Sequence, residues 1–199
     1  MSDYIRDFRD LHALVVHRRD RSADELLQQM HRIGCNFDNQ WPMPDALADK
    51  FSLVFLDVTD QDATRLKGFL NTAADPPAVI AIIGYENPSL LDLVLEIGAH
   101  AVLIKPIRAA GVLSSMLMAR RFWGEQRRFQ KDMTKLRDRL DGVQKVNDAK
   151  FILMRHHDIN EREAYDVIRK QAMAKRTTTT EIAQSIINAE SILRNFGQN

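Results

Sequence analysis

The residues best equipped for chemistry lie near the end of the chain. Lys150, Arg155, Arg169, Lys170, Lys175 and Arg176 set cations along two adjacent helix-like segments and the turn that follows them. Such an array suits the closely spaced phosphates of a folded RNA, because each neutralised phosphate releases counterions. Tyr165 in their midst can stack on a splayed loop base, although a tyrosine on an amphipathic helix more commonly belongs to a core. His156 and His157 adjoin the array, but neighbouring histidines without a cysteine or a spaced third ligand do not make a metal site. No metal and no cofactor is therefore expected. The run Thr177–Thr180 reads as a turn and a cap. No phosphate-binding glycine loop and no nucleophile elbow occurs, which argues against an enzyme.

These cations belong to a charge asymmetry that the net charge of +1 conceals. Residues 1–110 hold 11 Lys and Arg against 16 Asp and Glu, whereas the remainder holds 17 against 11. An acidic regulatory half and a basic half that meets a polyanion account for this, as do long helices that are simply rich in solvated charge. The single cysteine, Cys35, excludes an intramolecular disulfide and fits a reducing cytoplasm. No apolar run approaches the roughly 20 residues a membrane helix needs. The opening "MSDYIRDFRD" carries no hydrophobic signal core. A cytoplasmic location with no membrane contact is expected.

The elements that position these residues follow from periodicity. "ALVVH", "FSLVFLDV", "AVIAIIG" and "HAVLIKP" are apolar strand-like runs, with a short further strand expected near Asn36–Asn39. Between them lie amphipathic helices. In "SADELLQQMHRIG", Ser22 and Glu25 suggest a capping box, Leu26, Leu27, Met30 and Ile33 share a face, and Gly34 ends the helix. "NPSLLDLVLEIG" starts with Pro88 in its first turn. Continuous apolar strands alternating with helices imply a doubly wound, flavodoxin-like parallel sheet over residues 1–108. From Ala109 the pattern changes. Phe122, Gln126, Phe129, Met133, Leu136, Leu140, Val143 and Asn147 recur at 3–4 spacing, and a seam this narrow marks a coiled coil over 109–141. Phe129, Met133, Leu136, Leu140 and Val143 are the expected contacts of a parallel homodimer. Residues 142–199 then read as three helices, with Asn160 and Glu163 capping the second and Thr178 and Glu181 the third. The fold class is α/β followed by all-α.

Two segments resemble known families. Residues 1–108 resemble the receiver domain of two-component response regulators. The resemblance places Asp57, at the end of "LVFLD", as the phosphoacceptor and Lys105, before Pro106, as the lysine that contacts the phosphoryl group. It also implies an acidic pair after the first strand and a hydroxyl residue at the end of "VIAII". Those positions hold His17, Arg18 and Ile83. Phosphoryl transfer to a carboxylate needs Mg²⁺, and Mg²⁺ needs hard oxygen ligands. The segment is therefore expected to be a pseudo-receiver, with Asp57 paired to Lys105 or Arg18.

The tail resembles the ANTAR domain, an RNA-binding antitermination module. Ala149, Lys150, Leu153, Met154, Arg155, Glu163, Ala164, Arg169, Ala172 and Ala183 match in order, while Phe151 stands where a glycine is common. With "RIGCNFDNQWPMP" and the coil, the whole chain is similar to antiterminators that join a pseudo-receiver to an ANTAR domain. The resemblance implies a dimer that binds paired hairpins in leader mRNA and blocks a terminator, under control of a ligand-sensing negative regulator protein. A DNA-binding response-regulator-type transcription factor is the alternative. It would place a basic recognition helix last, whereas the last helix here carries Glu181 and Glu190 against Arg194.

Overall fold

The structure is a computed structural model, and it describes residues 7–58 and 62–196. Most of the opening stretch considered above for signal character lies outside the described residues. Two compact units emerge, dividing between Arg127 and Arg128.

In the first unit, strands β1 (His12–Val16), β2 (Asn36–Gln40), β3 (Leu53–Asp57), β4 (Ala78–Ile83) and β5 (Ala101–Ile104) form one parallel sheet in the order β2-β1-β3-β4-β5. This is the doubly wound order expected. Both faces of the sheet are covered, which is why its central strands are apolar apart from His12 and Asp57 at strand ends. Ala13, Val15, Phe55, Ile80 and Ile82 pack with Leu26 and Met30 of α1 (Arg21–Ile33) on one face. Leu14, Val54, Leu56, Ala81 and Ile83 face Leu66 and Phe69 of α2 (Ala63–Leu70) and Val94 of α3 (Pro88–Glu96) on the other.

The caps explain the helix limits. Asn87 accepts a bond from the Leu90 amide ahead of Pro88. Gly34 closes α1 at φ 80°, a left-handed conformation that glycine adopts without strain. The start of α1 differs from the sequence expectation. Asp20 is the N-cap and its carboxylate accepts from the Ala23 amide at 2.8 Å. Helix therefore begins two residues earlier than a Ser22 cap would place it, since an aspartate caps as well as a serine.

Helix α4 spans Ala109–His157, with non-helical torsions at Ala110 and Gly111. Its early turns, read from sequence as coil, bury Val112, Met116 and Ala119 in the sheet's core. Trp123 extends this packing by donating from Nε1 to the Pro76 carbonyl at 2.9 Å, with the Arg120 and Arg127 guanidiniums over its ring at 4.7 and 5.4 Å. Gln126 accepts from His100, whose other ring nitrogen accepts from the Val79 amide. Burial holds the His100 imidazole below its ordinary pKa.

The second unit joins the end of α4 to α5 (Glu161–Lys175) and α6 (Thr179–Phe196). Asn160 and Glu163 make a reciprocal capping box, and Thr178 and Glu181 make another. Its core is small and alanine-rich: Ala149, Ile168, Ala172, Ile182 and Ala183, with Val146, Leu153 and Ile186 partly buried against them. Small residues let the helices approach closely. A Cβ on Gly142 would stand 3.1 Å from Thr180 Oγ1.

Candidate carboxylate site and nucleic-acid interface

The sheet register builds the first site. Val16 pairs with Leu56, so His17 and Asp57 leave their strands side by side, and Ile83 pairs with Ile104, which delivers Lys105 from the far edge. Lys105 Nζ lies 2.6 Å from Asp57 Oδ2. The His17 ring is fully buried, with Nε2 3.3 Å from the same oxygen. Nε2 has no hydrogen-bond partner among the described residues, so the two groups are close without being hydrogen-bonded. Nδ1 faces the Arg18 carbonyl, which can only accept, so this nitrogen carries a hydrogen.

Asp20 completes the group, with Oδ2 3.7 Å from Lys105 Nζ and Oδ1 3.9 Å from His17 Nδ1. Sequence reasoning passed over Asp20; its signal was an acidic residue at the junction of a strand and a helix. Of the two expected partners of Asp57, Lys105 holds it, and Arg18 is exposed. Ile83 is buried and offers no hydroxyl. The Lys105–Pro106 peptide is cis. Within this group Lys105 and the His17 ring are the neighbours of the Asp57 carboxylate that the structure shows. Among the described residues no three His, Cys, Asp or Glu side chains converge as metal ligands.

The second site is the exposed surface of the three-helix unit, and it divides the expected cations into two sets. Lys150 is held at 2.6 Å by Glu161, with its side chain only 14% exposed. The hydrogen bond from Lys150, reinforced by its charge, keeps the Glu161 carboxyl below its usual range. Arg155 is ion-paired with Glu190, and His156 Nε2 lies 2.8 Å from the same carboxylate. These groups tie α4 to α5 and α6. By contrast, Arg169, Lys170, Lys175 and Arg176 are exposed and make no ion pair among the described residues.

Tyr165 is 43% exposed, so it is a surface residue and not part of the core. Arg162, which sequence reasoning missed, precedes it by three residues and Arg169 follows by four, a spacing that puts all three on one helical face. That spacing was the available signal. Tyr165 and Lys150 line two adjoining clefts. One, of about 730 Å³, also includes Arg139, Asn147 and Thr180; the other, of about 520 Å³, includes Asn160 and Arg162. Arg176 ends α5 at φ 52°, ψ 45°, left-handed torsions usually left to glycine or asparagine.

The seam residues of α4 are exposed in the single chain: Phe129 67%, Met133 42%, Leu136 52%, Leu140 70% and Val143 61%. Phe151 is 68% exposed, and eleven residues beyond Leu140 it projects from the same face of a straight helix. The stripe thus runs further toward α5 than the heptad spacing indicated.

Comparison with known proteins adds to this geometry. The family described as "AmiR, N-terminal" matches residues 11–120, and the ANTAR domain matches residues 134–187. The aliphatic amidase regulator of Pseudomonas aeruginosa is 29% identical over 183 residues, covering 92% of this chain and 93% of that one. The transcriptional regulatory protein PdtaR of Mycobacterium tuberculosis is 24% identical over 109 residues, covering 55% of this chain and 53% of its own. A response regulator from Thermotoga maritima covers 52% of this chain and 92% of its own at 16% identity, with a TM-score of 0.44. At that score the likeness carries no argument, and the fold rests on the strand order itself.

Proposed function

The chain belongs to the AmiR family of regulators that carry an ANTAR domain, and on that footing we infer that it is an RNA-binding transcription antitermination regulator. It acts as a parallel homodimer through Phe129, Met133, Leu136, Leu140 and Val143. Each ANTAR unit takes one of two paired hairpins in a leader mRNA, and occupation of both prevents the terminator from forming. The observation that carries this reading is the exposed face of α5, where Arg162, Tyr165, Arg169 and Arg176 place cations around an accessible aromatic ring. Cations position the phosphate backbone, and an unstacked loop base finds a π surface on Tyr165. An arginine at Arg176 in a left-handed cap, where glycine would relieve strain on the order of 1 kcal/mol, is also consistent with a role at this surface.

The receiver-like unit serves as a docking platform for a ligand-sensing negative regulator, not as a phosphorylation switch. The ion group of Asp57, Lys105, His17 and Asp20 supports this, because the carboxylate charge is already balanced by groups of the chain.

A gel-shift titration tests the RNA reading, using the leader RNA, its single-hairpin halves and duplex DNA of the same sequence. Two modules on one coil should favour the two-hairpin RNA over either half by at least tenfold, through effective concentration. Affinity should fall steeply with salt. Duplex DNA bound as tightly as the paired hairpins at moderate salt would replace this reading with that of a DNA-binding factor.

A further inference from the structure

Beside the Asp57 group, at the carboxyl ends of the strands, lies a cleft of about 440 Å³ lined by Arg21, Ser22, Glu25 and the segment 106–109. It lies outside the carboxyl ends of the strands, between the start of α1 that follows β1 and the segment that leaves β5 at the sheet's edge. Its two arginines come from separate segments, one opening α1 and one preceding α4. Neither has an ion pair among the described residues, and the same holds for Arg18 and Arg19 just before them in the chain. Four exposed guanidiniums at one edge of an otherwise acidic unit are a cost that anion binding would offset.

We propose that this cleft binds a small phosphorylated, hydroxyl-bearing molecule such as a sugar phosphate. A carboxylate offers two acceptor oxygens, whereas a phosphate monoester offers three in a tetrahedral arrangement. Arg21 and Arg108 can approach from two sides, with the Ser22 hydroxyl as a third donor. The first turn of α1 adds to this: the Asp20 carboxylate takes the Ala23 amide and leaves those of Arg21 and Ser22 directed outward. Glu25, one turn into α1, repels a bare anion but accepts hydrogen bonds from hydroxyls, so it selects for the body of a sugar phosphate. Asp57 does not oppose the ligand's charge, since Lys105 already neutralises it. The lining ends at Ala109, immediately before the two non-helical residues of α4, so a ligand would contact the chain where the long helix starts.

Isothermal titration of the full chain with ribose 5-phosphate and with inorganic phosphate, at an ionic strength fixed with chloride, tests the proposal. Saturable one-to-one binding of both is expected, with the sugar phosphate at least tenfold tighter. The double variant Arg21→Gln, Arg108→Gln should lose at least tenfold for both ligands, and Glu25→Ala, which removes both the repulsion and the acceptor, should tighten inorganic phosphate and narrow the sugar phosphate's advantage. Arg19→Gln controls for the loss of a surface charge, and an unchanged melting temperature in each variant confirms folding. The proposal is overturned if neither ligand binds saturably, if the double variant binds within twofold of the parent, or if Arg19→Gln loses as much as the double variant.

Discussion

Replacing Leu136 and Leu140 by lysine should separate the dimer without unfolding either unit. In the single chain these side chains are 52% and 70% exposed, and neither belongs to the small core of the second unit. Full burial of a leucine contributes about 1.5–3 kcal/mol, so covering what remains exposed contributes roughly 1–2 kcal/mol each. Two leucines from each of two chains then place roughly 4–8 kcal/mol in the interface. Each 1.4 kcal/mol is about tenfold in affinity, so the dissociation constant should rise by about three to six orders of magnitude. Multi-angle light scattering between about 1 and 50 μM reads this directly, a range chosen to bracket the micromolar affinities of ordinary dimers. Circular dichroism checks that helix content persists. The separated chain should also lose its preference for two hairpins over one while keeping its affinity for one. A double variant that stays dimeric with an unchanged dissociation constant would show that the stripe is not the interface.

Three further outcomes follow from the sites. Incubation with acetyl phosphate and Mg²⁺ should add no phosphoryl mass to Asp57, because Lys105 holds its oxygen at 2.6 Å and His17 fills the neighbouring position; a stoichiometric acid-labile adduct that changes RNA affinity would refute this. Glu161→Gln should release Lys150 and steepen the slope of log affinity against log salt by about one, and an unchanged slope would make Lys150 a purely structural residue. His100 has a folded-state pKa depressed by burial, so the unfolded chain binds its proton more readily. Its contribution is present above the ordinary histidine range and is lost as pH falls from that range toward the folded value. The first unit should therefore melt at a lower temperature at pH 5.5 than at pH 7.5, by a margin that shrinks in His100→Gln; an equal margin in that variant would clear His100 of the effect.

Much of this architecture was legible in the chain. Apolar runs bounded by helices implied a sheet covered on both faces, and β3 and β4 are buried at every position. Asn160–Glu163 and Thr178–Glu181 announced helix starts by a local reciprocal bond, which needs no tertiary partner. The exposed stripe through Phe129, Leu136 and Leu140 was equally a matter of spacing along one helix. Where local rules competed, sequence alone chose less well: Asp20 and Ser22 are both competent caps, and the fold selected Asp20.

The site residues divide along the same line. Residue type and helical period determined that the tail would be cationic and that Arg169, Lys170, Lys175 and Arg176 would reach solvent. Tertiary structure decided which cations remain available, because Glu161 and Glu190 come from other helices to occupy Lys150 and Arg155. It likewise decided that Lys105 and the buried ring of His17, and not the neighbouring Arg18, stand beside Asp57. Periodicity fixes the face from which a side chain leaves its own element. An ion pair depends instead on separations of 3–4 Å between elements far apart in the chain, and only the packing of sheet and helices sets those distances.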